Sequence, residues 1–412
     1  MLVFHWLGFL QIALLLLAGA ALAITVLANW AARSVLARSL PSPATLPPPL
    51  SVLRPAKGLD EGFEDNLRML LQQSHPRFEV LLGVAEAGDP AYAVGRRVAA
   101  DFPAGRLRVF VCPPDGGLNP KVTILRRLAA HARHDLLLIS DSNVRPPAGY
   151  LQAIIAEMAD PHVGLVTNLV RGEGARAFAA RTFAARCENL HLATFVVRGT
   201  AFAGVYLDKA CVVGKSMLFR RSQLEKLGGW APFADLLAED YAIGNAFERA
   251  GFAVVVSPLP VVTFNQSWST GRFFNRHLRW SQMRRRVAPW AYLFEPLGSP
   301  TPLFLGLACT AFGPGPLGPW ALPLALAALG FRLAADRRLL SGLYGARVPW
   351  RAVLATWPKD FLIVALWAVG AFRRTVDWRG NVFLLGPGSR LSRPRASGGG
   401  QPVTGVSMKE AL

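Results

Sequence analysis

From Met1 to Ala32 the chain carries no Lys, Arg, Asp or Glu. A helix of about 20 apolar residues crosses the hydrocarbon core of a bilayer, and residues 7–30 exceed that length. A cleaved leader is the rival reading, because Ala21-Leu22-Ala23 resembles a small-residue cleavage site. Leaders open on a basic segment, however, and no Lys or Arg precedes this stretch. The expectation is an uncleaved anchor. Arg33 and Arg38 follow it, so the positive-inside rule places the N-terminus outside and the following domain in the cytoplasm. In a bacterium that membrane is the inner one.

The remainder is also unusually apolar. Across 412 residues, 52% are hydrophobic and the mean hydropathy is +0.30, more than an ordinary soluble enzyme carries. A formal charge of +19 suggests a nucleic-acid partner at first sight. Much of the basic excess lies beside apolar segments instead, at Arg284-Arg285-Arg286 and Arg373-Arg374. Cations in that position face an anionic leaflet, so the implied partner is a membrane, not a nucleic acid. The cysteines, Cys112, Cys187, Cys211 and Cys309, are scattered without CxxC spacing. They indicate neither zinc nor a disulfide framework and are expected to be buried apolar residues.

Five segments follow from composition. The anchor occupies 1–32, and a linker stiffened by Pro41, Pro43 and Pro47-Pro48-Pro49 occupies 33–50. From 51 to 295, short β-rich runs alternate with helical spacing, which is α/β patterning. Strands are expected at 78–84, 107–111, 135–140, 163–166 and 253–256, with a helix at 122–132. Residues 296–372 are expected to form membrane-associated helices; 296–331 is charge-free but interrupted at Gly313-Pro314-Gly315-Pro316, which suits a hairpin or a broken span. The tail, 373–412, is rich in Gly, Ser, Pro and Arg toward its end, and disorder is expected from Gly386 onward.

Chemistry concentrates where apolar runs meet carboxylates. Leu136 to Ser140 leads directly into Asp141-Ser142-Asn143. Taken alone, that tripeptide is a strand followed by an Asx turn. An Asp at the carboxyl edge of a parallel sheet, where open α/β sheets bind ligands, is also placed to hold a hard cation, with the Asn143 carbonyl nearby. Three further elements accompany it in order: Glu86 and Asp89 after the first strand, Ala238-Glu239-Asp240-Tyr241, and Arg276-His277-Leu278-Arg279-Trp280.

This ordered set resembles the processive and lipid-linked family-2-like glycosyltransferases, with their spaced acidic residues and (Q/R)xxRW motif. It is most similar to ceramide glucosyltransferases and the related bacterial hopanoid-biosynthesis glycosyltransferases. The residues that carry the resemblance also include Ser51-Val52-Leu53-Arg54-Pro55-Ala56-Lys57-Gly58, Asn119-Pro120-Lys121, Val213-Gly214-Lys215-Ser216-Met217 and Trp378-Arg379-Gly380. The resemblance implies a GT-A (Rossmann-like) α/β cytoplasmic domain, a UDP-sugar donor, a lipid acceptor and the membrane as partner. It implies a uridine-contacting carboxylate near Glu86 or Asp89, a nucleotide contact at Lys121, and an acceptor-site role for His191.

The chemistry stands without the family name. A cation at Asp141, Mg²⁺ or Mn²⁺, would neutralise charge on a departing diphosphate. Asn143 in place of a second carboxylate weakens that site. Asp240 is the candidate general base, and a base opposite the leaving group inverts the anomeric carbon; otherwise Glu239-Asp240 serves only a helix dipole. Arg276 and Arg279, three apart on one helix face, are candidates to grip the diphosphate, with Trp280 walling the pocket. A basic helix lying on lipid is the alternative. Two other functions compete with single-sugar transfer to a lipid hydroxyl: a processive polysaccharide synthase, and a non-catalytic membrane scaffold.

Overall fold

The computed structural model describes residues 2–42, 46–174, 180–209, 211–313, 315–378 and 380–394. Pro43, Pro314, Arg379 and the last part of the tail lie outside the described residues.

Eight strands form one sheet: β1 (Leu50–Pro55), β2 (Phe78–Val84), β3 (Leu107–Val111), β4 (Leu136–Ser140), β5 (Val144–Arg145), β6 (Val163–Glu173), β7 (Ser216–Arg220) and β8 (Ala253–Phe264). Their order is β3-β2-β1-β4-β7-β6-β8-β5. The first four in that order run parallel, whereas β7 runs antiparallel to both β4 and β6. Every residue of β1, β2 and β4 is buried, as expected for strands covered on both faces. On one side Val52, Val80, Leu82 and Leu138 pack with helices Phe63–Leu71, Pro90–Ala100 and Tyr150–Ala156. On the other, Leu53, Leu81, Leu137, Ile139 and Phe219 pack with helices Pro120–His131 and Glu239–Arg249.

Strands β2 and β3 occupy the expected spans. Strand β1 does not appear in the expectation, because it follows directly on the proline run assigned to the linker. The run at 253–256 continues to Phe264 through Pro258 and Pro260. Proline interrupts a ladder, and the β6–β8 register shifts between the Asn168 and Val170 pairs, opposite these prolines.

The anchor is one helix, Leu2–Ala37. Among the described residues, three helical stretches are long and apolar enough to cross a membrane: Trp6–Ala37, Gly318–Tyr344 and Trp350–Phe372. The chain is thus a membrane protein by fold and composition. A shorter apolar stretch, Thr301–Phe312, precedes the interruption at 313–316, so the break expected there separates two helices. Small residues let these helices approach closely: Ala18 packs in one cluster with Ala321 and Ala325. Polar side chains join them as well. Gln11 Nε2 donates to Thr310 Oγ1 at 3.1 Å, and Arg332 donates to Thr25 Oγ1 at 3.0 Å while pairing with Asp336. Cys112 and Cys187 are buried as expected, but Cys309 is exposed, on the outer side of the apolar helix Thr301–Cys309.

The tail departs most from expectation. Residues 387–392 are ordered and join a second, three-stranded sheet of β9 (Thr375–Trp378), β10 (Asn381–Leu385) and β11 (Leu391–Ser392). Val376, Phe383, Leu385 and Leu391 bury against Leu237, with Leu118 and Met283 packed alongside. Alternating apolar residues in 375–385 give this hairpin a face to bury, which disorder would leave in water.

Candidate active site

Asp141 sits just beyond β4, at the carboxyl ends of the parallel strands. Its backbone makes the turn that the tripeptide suggested, with Val144 N donating to Asp141 O at 3.0 Å. Buried Arg54 fixes that turn from beneath, donating to Ser142 O at 2.8 Å and Val144 O at 3.2 Å. Ser142 Oγ reaches Asp60 at 2.6 Å. The turn and the rim carboxylate are therefore one feature.

Two lysines hold the Asp141 carboxylate. Lys121 Nζ is 3.0 Å from Oδ1, and Lys215 Nζ is 2.9 Å from Oδ2. Lys215 also donates to Asn143 Oδ1 at 2.8 Å. Burial alone would raise the Asp141 pKa, but the two ammonium groups outweigh it and hold the carboxyl far below its usual range. Lys121 bridges onward to Glu239 Oε1 at 3.0 Å and to Gly214 O at 3.1 Å. It stands at the start of helix Pro120–His131, whose N-cap Asn119 accepts from the amides of Lys121 and Val122. The Asn119 amide donates to Glu239 Oε2 at 3.2 Å, so Asn119-Pro120-Lys121 clamps the acidic pair from one side. Burial raises the Glu239 pKa; Lys121 opposes this, and Asp240 adds to it.

Asp240 lies in the first turn of helix Glu239–Arg249. Its Oδ2 accepts the Gly214 amide at 2.7 Å. Gly214 is required by close approach, since a Cβ there would lie 2.7 Å from that same oxygen. Thus Gly214-Lys215 serves both carboxylates, the amide binding Asp240 and the ammonium binding Asp141.

The Arg276 helix, Thr270–Val287, supplies a second cluster. Arg276 pairs with buried Glu188 at 3.0 Å, and His277 Nε2 lies 2.6 Å from the other oxygen of Glu188. The Arg276 guanidinium is 4.3 Å from the Trp280 ring centre and 5.1 Å from that of Trp268, a cation–π sandwich. Burial lowers the Lys215 pKa, and Arg276 adds to this while Asp141 opposes it; the two clusters are electrostatic neighbours. Arg279 is half-buried on the same helix. His191 is fully buried, stacked on Phe195 at 4.7 Å and edge-on to His277 at 4.5 Å. Its ring nitrogens have no hydrogen-bond partner among the described residues. Burial, then His277, pushes its pKa well down. A π-helical turn, Leu192–Val196, begins just after it, a distortion frequent at functional sites.

The two carboxylates after β2 differ. Glu86 is exposed at the rim. Asp89 is buried and holds the fold together: it caps helix Pro90–Ala100, and both its oxygens accept from the Gly58 amide, at 3.0 and 2.9 Å. It thereby positions the Ala56-Lys57-Gly58 loop. In the sequence Lys215 and Arg54 stand out only as members of motifs, and Glu188 carries no local signal. Lys215 was the findable one, because it alternates with strand β7 at the same rim.

Among the described residues, no cluster of three or more His, Cys, Asp or Glu is arranged to hold a metal. Asp141 and Asn143 nevertheless direct two hard oxygens at one point, now taken by the Lys215 ammonium. That donor set fits a divalent cation shared with a bound diphosphate.

A parallel-rich sheet with carboxylates, lysines and an arginine at its C-terminal rim is the equipment of a GT-A glycosyltransferase. The sequence profile of Glycosyl transferase family 21 matches residues 12–391, and the chain belongs to that family. It is 26% identical to ceramide glucosyltransferase 1 of Caenorhabditis elegans over 355 residues, 85% of this chain and 74% of that protein. With ceramide glucosyltransferase 3 of the same organism it shares 23% identity over 354 residues, 84% of this chain and 75% of the relative. In fold it is similar to a mannosyltransferase from Pyrobaculum calidifontis solved with GDP-mannose and Mn²⁺, at 21% identity and a TM-score of 0.51, covering 88% of this chain and 98% of that one.

Proposed function

We propose that this chain moves a single sugar from a UDP-sugar to the hydroxyl of a membrane lipid, with inversion, on the cytoplasmic side of a bacterial inner membrane. The observation that carries this reading is the Lys121 bridge: one ammonium binds Asp141 and Glu239 at 3.0 Å each, next to Asp240. The donor-end carboxylate is thereby tied to the residue beside the base candidate, and Gly214-Lys215 ties the two carboxylates themselves, its amide on Asp240 and its ammonium on Asp141, which is how a transfer site is preorganised.

Glu86 is the rim carboxylate placed for the nucleoside. Mg²⁺ or Mn²⁺, held by Asp141 and Asn143, would neutralise charge on the leaving diphosphate when bound. Lys121 and Lys215 supply fixed positive charge at the same place. Arg276, Arg279 and Trp280 border the donor on the opposite side, Glu188 keeping Arg276 oriented. Asp240, held by the Gly214 amide, takes the proton of the acceptor hydroxyl as that oxygen bonds to the anomeric carbon. His191, buried against His277, is the residue assigned to the acceptor side. A ceramide, as in the names of the relatives, and a polyhydroxylated hopanoid both present such a hydroxyl. The sugar follows the acceptor, glucose for a ceramide and N-acetylglucosamine for a hopanoid.

Mass spectrometry of lipids from a host supplied with each acceptor tests the reading. One added sugar is expected, and a ladder of sugars would instead indicate a polymerase. Asp240→Asn is expected to abolish transfer while UDP binding persists; retained transfer removes Asp240 from the base role.

A further inference from the structure

The turn that leads into the Asp240 helix draws partners from the far end of the chain. Helix Glu239–Arg249 begins at Ala238, which has no side-chain oxygen to cap it. Ser389 supplies the missing acceptors from the far end of the chain. Its Oγ accepts the Ala238 amide at 3.1 Å, and its carbonyl accepts the Leu237 amide at 2.9 Å. Leu391 N donates to Asp235 O at 2.7 Å, and the Asp235 carboxylate accepts from Leu118 N at 2.9 Å. Ser389 is fully buried. It adopts a left-handed backbone, φ 63°, which residues with a Cβ disfavour; such conformations persist where surrounding contacts enforce them.

The same segment grips the other half of the site. Gln282, on the Arg276 helix, donates to Arg373 O at 3.1 Å and Thr375 O at 2.8 Å. Met283 of that helix packs with the β9–β11 cluster, which also contains Leu237. Residues 373–378 and 380–392 therefore tie the helix bearing Arg276 to the turn bearing Asp240.

We infer that residues 373–378 and 380–392 form a strap from the Arg276 helix to the start of the Asp240 helix and that Ser389 is a positioning residue for Asp240. The inference rests on Asp240 being the base. The strap fixes where the helix starts, and so where the carboxylate stands relative to the acceptor hydroxyl.

Ser389→Gly separates positioning from structure. Glycine accepts the left-handed backbone freely but removes the hydroxyl, so the fold keeps its strap and Ala238 loses its acceptor. The assay uses the full chain in detergent with the donor and acceptor that the wild type turns over. We expect kcat to fall roughly ten- to hundred-fold, the cost of a small misplacement of a catalytic group. The donor KM and the melting temperature should stay near wild type, and Ser389→Thr should retain more of kcat than the glycine variant. An unchanged kcat in Ser389→Gly would overturn the inference, as would a loss of kcat matched by a lowered melting temperature. Asp240→Asn, run in parallel, keeps the two readings apart. Transfer lost there but intact in Ser389→Gly removes the strap alone; transfer retained in Asp240→Asn removes the base, and the positioning role with it.

Discussion

Lys215 occupies the point on which a divalent cation would converge, and this makes a quantitative prediction. Its Nζ lies 2.9 Å from Asp141 Oδ2 and 2.8 Å from Asn143 Oδ1. At an effective dielectric near 20, an ion pair at that distance is worth about 6 kcal/mol in Coulomb terms. Desolvation returns part of it, and breaking a buried pair costs roughly 3–5 kcal/mol net. A cation that enters must displace the ammonium and forfeits that amount. Methionine has similar length and no charge, so Lys215→Met relieves the competition. With about 3 kcal/mol recovered, Mn²⁺ affinity of the donor-free chain should rise about a hundred-fold, at 1.4 kcal/mol per factor of ten. Calorimetric titration of the purified full chain with Mn²⁺, without nucleotide, measures this. A dissociation constant within about three-fold of wild type would refute the reasoning, because Lys215 and the cation would then not share a position. Wild type itself should bind Mn²⁺ weakly until a UDP-sugar brings its own phosphate oxygens and draws Lys215 away.

Two further outcomes follow from close packing and from buried charge. Gly214→Ala places a Cβ 2.7 Å from Asp240 Oδ2, so that carboxylate must move; with Asp240 as the proposed base, kcat should drop about ten-fold or more with donor KM near wild type, and unchanged kcat in steady-state assays would contradict that role. Glu188→Gln leaves the Arg276 guanidinium, 3.0 Å away, without its counter-ion in a buried site. The cost should be roughly 3 kcal/mol, seen as a lower denaturation midpoint in detergent, and an unaltered midpoint would show that Glu188 is not what neutralises Arg276.

Much of this molecule is written locally. The charge-free opening reads as a candidate membrane span, because its apolar helix is long enough to cross the hydrocarbon core. Residues 78–84 and 107–111 read as strands and are strands, since short β-rich runs suit a pleated sheet, 78–84 buried throughout and 107–111 half-buried at the sheet edge. Asp141 is legible as a rim residue because it directly follows an apolar strand, where open α/β sheets present their ligand-binding edge.

What depended on the tertiary structure involves partners far apart in the chain. The Lys215–Asp141 pair spans 74 residues and the Ser389–Ala238 bond spans 151, and no local period encodes either. Strand β1 was hidden by the prolines before it, and the reversed β7 by the parallel pattern around it. Asp89 caps helix Pro90–Ala100 through the local Ala91 amide, while its bond from the Gly58 amide is one that only the folded chain brings to it. The sequence alone determined which residue types line the rim and that the chain meets a membrane. The fold decided which charges neutralise one another, because a buried ion's partner is set by what packing leaves within about 3 Å, not by its neighbours in sequence.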